Sequence, residues 1–203
     1  VPALALPARL LEASPAEAAR IDLSACALRL PEADPSADLR IAAVIDAPSK
    51  TLFVQVEDDV FGPGDELRVW TADTAIDAGS HCAESRPSER FAIDAGGRLL
   101  GKASASAPRR VELGVSPDGR RRLHRISLAT LPEAITVGYH DVDPKQPPTT
   151  TSSSEVEALR GEVVGLGRVR PMPEGRVRCV LEGERLVPVL ADPPPRTQAI
   201  VGG

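Results

Sequence analysis

Leu39-Arg40-Ile41-Ala42-Ala43-Val44-Ile45, then Ala47-Pro48-Ser49-Lys50, then Leu52-Phe53-Val54-Gln55-Val56 is the stretch on which the fold of this 203-residue chain turns. Two apolar, β-branched runs flank a Pro-Ser turn, where proline presets the backbone angle a turn needs. The segment therefore predicts two strands joined as an antiparallel hairpin. Past it, the acidic Glu57-Asp58-Asp59 marks a strand end, and Phe61-Gly62-Pro63-Gly64-Asp65 must bend because glycine and proline alternate there. The chain straightens again through Glu66-Leu67-Arg68-Val69-Trp70-Thr71.

Outward from this block the texture stays that of short strands and frequent turns. Upstream, Ser14-Pro15-Ala16-Glu17 has the cap, proline and acid order of a short helix start. Ile21, Leu23, Ala25, Leu28 and Leu30 then alternate with polar or smaller residues, as in a half-buried strand. Downstream, the polar stretch 72–90 predicts a long loop, and strands are expected at 91–93, 99–100, 110–115, 123–128 and 135–139. Pro117-Asp118-Gly119 predicts a turn. Pro-, Ser- and Thr-rich 144–154 is too poor in apolar groups to pack and predicts a linker or exposed loop. Beyond it, 159–169 and 177–190 have the pattern of a β-hairpin. The sequence thus predicts an all-β chain, an antiparallel, jelly-roll-like β-sandwich at 21–143. An N-terminal arm at 1–20 precedes it, and a linker at 144–156 leads to a C-terminal β-hairpin extension at 157–203.

Composition narrows the function. Apolar residues make up 42% of the chain and aromatic ones 2%, so Val, Leu, Ile and Ala must build the core. Rings able to stack on sugars or bases are confined to Phe53, Phe61, Trp70, Phe91 and Tyr139. Net charge is −5, and the longest basic run is Arg120-Arg121-Arg122, so the basic stripe that nucleic-acid binding requires is missing. Lys50, Lys102 and Lys145 are the only lysines and asparagine is absent, as expected of a GC-rich bacterial coding sequence. No run approaches the roughly 18–20 apolar residues of a membrane-spanning helix, so no transmembrane segment is expected. The chain opens on Val1, as a chain would after removal of a signal or lipoprotein leader.

No catalytic grouping is legible, and the chain is expected not to be an enzyme. His81-Cys82-Ala83-Glu84 lacks the Pro-Cys-x-x-Cys that would complete a zinc deaminase site. Gly161, Gly165 and Gly167 have the wrong spacing for a phosphate-cradling loop, and no Gly-x-Ser-x-Gly elbow occurs. His124, in a strand among arginines, is expected on a solvated face. Cys26, Cys82 and Cys179 allow at most one internal disulfide, in one of three pairings, or remain as thiols. A Cys26 to Cys82 pair would stabilise by about 4 kcal/mol through chain entropy. Two acidic groups remain: Glu57, Asp58 and Asp59 with Asp65, and Asp141 with Asp143. Both fall at strand ends, where folding could assemble them as oxygen ligands for calcium.

The order of elements resembles the family-9 carbohydrate-binding modules over roughly 36–143. Asp38 to Asp46 is similar to that family's first strand, Thr51 to Asp59 to a strand ending in an acid pair, and Gly64 to Trp70 to its Gly-Asp strand. Arg125-Ile126-Ser127-Leu128 resembles a short apolar strand before a loop. Ile135 to Asp143 resembles the closing strand that ends in Asp-x-Asp. The resemblance implies an antiparallel β-sandwich, exported (periplasmic, cell-surface or extracellular), with calcium in some members and glycan binding between aromatic rings, for which Trp70 stands in the matching strand. The expected function is a non-catalytic binding module of an exported bacterial protein, directed at a glycan. The alternative is a structural or interaction protein of a cell-envelope, extracellular or phage-tail-like assembly, engaging a protein partner through its strand edges.

Overall fold

A computed structural model describes residues 1–29, 39–72, 89–100, 108–132, 134–142, 149–152, 170–171 and 177–190. In chain order the elements are β1 (Pro2–Leu4), α1 (Ala8–Glu12), α2 (Pro15–Ala18), β2 (Leu28–Arg29), β3 (Arg40–Asp46), β4 (Thr51–Glu57), β5 (Glu66–Ala72) and β6 (Glu89–Asp94). They continue with β7 (Leu99–Leu100), β8 (Arg110–Val115), β9 (Arg121–Ser127), β10 (Ala134–Asp141), β11 (Thr149–Ser152), β12 (Arg170–Pro171), β13 (Val177–Glu182) and β14 (Arg185–Leu190). One sheet runs β12-β1-β3-β4-β9-β8 with β2 also on β3; a second runs β11-β10-β5-β6-β7; β13 and β14 form a separate hairpin. Strand pairs are antiparallel except β1, which lies parallel to both β3 and β12. The expected all-β sandwich is the architecture found; the C-terminal hairpin lies within 177–190, and the expected run at 159–169 lies outside the described residues.

The expected central hairpin pairs Ile41 with Val56, Ala43 with Val54 and Ile45 with Leu52 across the 47–50 turn. Lys50 closes that turn at φ 57, in the left-handed region. Both strands are buried almost throughout, because each face of the first sheet meets a different partner. Ile41, Ala43, Ile45, Leu52, Val54, Val56 and Ile126 point between the sheets, against Leu67, Val69, Phe91, Ile93, Ile135, Val137 and Tyr139. Val44, Phe53 and Leu123 point the other way, into a second core with Leu10, Ala18, Leu23, Cys26, Cys179 and Leu186. Two-sided burial explains why β3 and β4 read as continuous apolar runs instead of alternating ones. Each large side chain sealed in this way contributes about 1.5–3 kcal/mol.

The cover over the second core is fastened by polar groups. Gln55, the one long polar side chain within the β4 run, accepts from the Leu23 N–H at 3.1 Å and donates to the Ile21 carbonyl at 2.6 Å. The Asp46 carboxylate accepts from the Leu6 N–H at 2.8 Å and the Ser49 N–H at 2.9 Å, joining the arm to the hairpin turn. Arg125 donates to the last carbonyls of α1, Leu10 at 3.2 Å and Ala13 at 2.8 Å, while its guanidinium sits 5.7 Å from the Phe53 ring. α2 has the expected capping box between Ser14 and Glu17. It lies flush on β8: a Cβ on Gly114 would come 1.8 Å from the Pro15 carbonyl oxygen, so no other residue fits there.

Three expectations change. The described part of the run from Ile21, 21–29, is mostly not a strand: the Cys26 and Ala27 N–H groups turn back to the Leu23 carbonyl, Asp22 makes an isolated parallel bridge with Arg185, and Leu28–Arg29 pairs with β3. The satisfied Gln55 replaces the ladder bonds a strand would have made. Within the expected linker, Thr149–Ser152 forms β11 against β10, in keeping with the strand preference of β-branched threonine. Finally, Cys26 pairs with Cys179, not with Cys82, which lies outside the described residues. This bridge joins the segment between α2 and β2 to β13 across 153 residues of sequence, with Cα atoms 6.4 Å apart. Closing so long a loop removes much freedom from the unfolded chain, worth up to about 5 kcal/mol. The Cys26→Ser, Cys179→Ser double variant is expected to lose about 2–5 kcal/mol in urea unfolding, measured against the oxidised protein; an unchanged midpoint would refute the clasp.

Candidate functional site

At one end of the sandwich, the end of β4, the turn before β5, the end of β10 and the start of β9 converge. Gly62 and Gly64 make this possible. A Cβ on Gly62 would come 2.4 Å from the Val142 carbonyl oxygen, and one on Gly64 would press the Val142 side chain at 3.1 Å. The 61–65 turn therefore closes directly onto the end of β10 and delivers Asp65 into the interior.

Asp65 is the hub of this corner. It is 1% exposed, and its carboxylate accepts from the Gly62 N–H at 2.8 Å, the Tyr139 hydroxyl at 3.2 Å and the Val142 N–H at 3.1 Å. Burial, and then the Asp65 charge, push the Tyr139 hydroxyl up, so it stays a protonated donor. Removing the carboxylate leaves three donors to find new partners. Asp65→Ala is expected to cost about 2–4 kcal/mol in chemical denaturation, with a loss below 1 kcal/mol contradicting the hub.

Of the six residues expected to bind calcium, the structure brings three together. One carboxylate oxygen each from Asp58, Asp65 and Asp141 lies within 4.8 Å of the others. Asp58 is buried and Asp141 half-buried. Glu57 and Asp59 turn outward instead, Glu57 to Arg121 at 3.8 Å and Asp59 to an ion pair and hydrogen bond with Arg120. Asp143 lies outside the described residues. Strand alternation separates the acids, because 57 and 59 leave the chain on the side opposite to 58. The longest basic run is thus spent internally: Arg122 completes it by stacking 4.0 Å over the Phe61 ring and donating to the Ala95 carbonyl at 3.1 Å. Two carboxylate charges this close repel by about 3 kcal/mol at an effective dielectric of 20, which a hard cation would offset. The three aspartates could supply part of the six to eight oxygens calcium takes.

Trp70 lies in β5, in register with Thr136 of β10 and Arg90 of β6. Leu67, Val69 and Thr71 are buried inward, so pleating assigns position 70 to the outer face of the second sheet, with positions 66 and 68. That face is not bare: Glu66 and Arg68 pair at 2.6 Å with side chains 23% and 15% exposed, and Ala92 beside them is buried.

His124 corrects an expectation. It is 2% exposed rather than solvated, because β9 lies between β4 and β8 and turns it to the same face as Ile126. Its Nδ1 has no hydrogen-bond partner among the described residues. Burial first, then the Arg122 charge, lower its pKa from 6.5 to about 4, with a hydrogen bond to the Val54 backbone partly opposing. The unfolded chain therefore takes up this proton below pH 6.5 while the folded one does not. Stability is expected to fall by about 3 kcal/mol between pH 6.5 and 4 from this residue alone. Urea titrations should show that limb flattened in His124→Gln, and an unaltered limb would remove His124 as its source.

Between α1, α2 and the β13–β14 turn lies a cleft of about 390 Å3, crossed by the Arg20 to Glu184 ion pair at 2.7 Å. Its charges are mixed, and Glu17 is already committed to the Ser14 cap, which holds its carboxyl below the usual range. Among the described residues no helix is long and apolar enough to cross a membrane. Comparison with protein-family models and with curated proteins finds no match to this chain.

Proposed function

We propose that this chain is a non-catalytic binding module of an exported bacterial protein, directed at a glycan. The observation that carries export is the Cys26 to Cys179 bridge, since disulfides of this structural kind persist in oxidising compartments. Support for a non-catalytic role comes from how the buried ionisable groups are used: Asp46 and Asp65 accept backbone N–H bonds, and His124 is held neutral inside the sheet pair. The sandwich supplies a rigid frame, Trp70 at its register position in β5 is the aromatic residue of this reading, and calcium at Asp58, Asp65 and Asp141 belongs to the same reading.

Affinity electrophoresis through gels of soluble polysaccharides, run with calcium and with EGTA, tests this. The expected result is retardation in at least one gel, reduced about tenfold or more in affinity by Trp70→Ala, the usual scale for losing an aromatic anchor, and weakened by EGTA. Unretarded migration in every gel removes the glycan, and equal retardation in EGTA removes the ion. A second reading, a structural or interaction protein of a cell-envelope, extracellular or phage-tail-like assembly, draws on one observation: the character of β11 at the margin of the second sheet.

A further inference from the structure

Strand margins differ in how they discourage pairing with another chain, and here most carry a recognised deterrent. β14 donates outward from the Leu186 N–H to the Asp22 carbonyl at 2.9 Å. Two residues on, Pro188 has its nitrogen on that same side, so the ladder begun at Asp22 stops there. β12 is two residues long and contains Pro171; β2 and β7 are equally short. β8 carries Arg110 and Glu112 with α2 laid over its sheet face, and β13 carries Arg178 and Glu182.

β11 is the exception among the described strands. Thr149-Thr150-Thr151-Ser152 pairs with Gly138 to Asp141 on one side and, among the described residues, ends the second sheet on the other. It has no charge, no proline and no glycine, and three of its four residues are β-branched. A strand of four residues presents its outward N–H and C=O groups in alternation, which is the template that strand addition uses.

We propose that the β11 margin pairs antiparallel with β11 of a second copy of this chain, joining two second sheets across a two-fold axis. The strand suits its own copy. Two-fold antiparallel self-pairing opposes residues of the same row, Thr149 to Thr151 with Thr150 on its own copy, or Thr150 to Ser152 with Thr151 on its own copy, hydroxyl pairs with no like charges opposed. β8 and β13 instead hold charged side chains on their margins, which discourage pairing with another strand. Four residues make a small contact, so the dimer is weak. Each copy carries a net charge of −5, so added salt, by screening that repulsion, tightens it. This inference stands apart from the glycan reading, which uses position 70 and is read by retention on polysaccharide.

Sedimentation velocity on the full oxidised chain, from about 10 μM to about 1 mM and at low and high salt, spans the range where weak pairing is read. The expected result is a concentration-dependent dimer that strengthens with salt. Thr150→Pro and Thr151→Pro place proline in each of the two alternating rows, so one of them strikes the outward row. That variant is expected to be monomeric throughout with an unchanged melting temperature. The Thr150→Lys, Thr151→Lys double variant sets a lysine against its own copy on the axis in either register without removing backbone donors, and is expected to weaken pairing about tenfold or more. A chain that stays monomeric at every concentration overturns the proposal. So does a dimer that survives the lysine variant and whichever proline variants remain folded.

Discussion

Everything in this molecule depends on burying β3 and β4 from both sides. A hairpin this apolar cannot leave a face to water, and a second sheet covers only one. The other must be closed by whatever the chain has left, which is its first 29 described residues and the β13–β14 hairpin. Both ends therefore converge on Val44, Phe53 and Leu123. The disulfide follows from that convergence: it joins the two covering pieces where they meet, not the sheets themselves. Gln55, Asp46 and Arg125 do the complementary work of satisfying backbone groups of an arm too short and irregular to satisfy its own.

How much of this was legible in the sequence varies with the range of the interaction. β3 and β4 were legible because their composition and turn are local. The same holds for β5, β8 to β10, and the Ser14 cap. The arm was misjudged because Ile21 and Leu23 alternate as a strand would, while their partner, Gln55, lies more than thirty residues away. A glutamine inside an apolar run was the available signal, since a buried amide requires partners. Three cysteines left three pairings open, and no local feature could choose among them. His124 was placed outside because its neighbours are arginines, yet those arginines themselves reach inward, to α1 carbonyls and to Phe61.

The acidic corner shows the same division. That strand ends would gather acids could be read from Glu57 to Asp59, Asp65 and Asp141. Which carboxylates face inward is set by pleating and by two glycines whose missing Cβ atoms admit Val142, and these are properties of the assembled corner. The outcome is economical in charge: Arg120, Arg121 and Arg122 each meet an acid or a ring of the same corner. The contrast with the uncharged β11 margin is one of placement, since charge and proline sit on the other long edges and are missing from that one.

Native-state hydrogen exchange on the oxidised chain tests two-sided burial most directly. If β3 and β4 are sealed on both faces, amides of Ala43 to Ile45 and of Phe53 to Gln55 exchange only through global unfolding. They should then be the slowest in the molecule, with opening free energies equal to that of the urea transition. Exchange there at rates matching β7 or β11, well above the global limit, would mean that the arm and hairpin do not close the second face, and the account would be wrong.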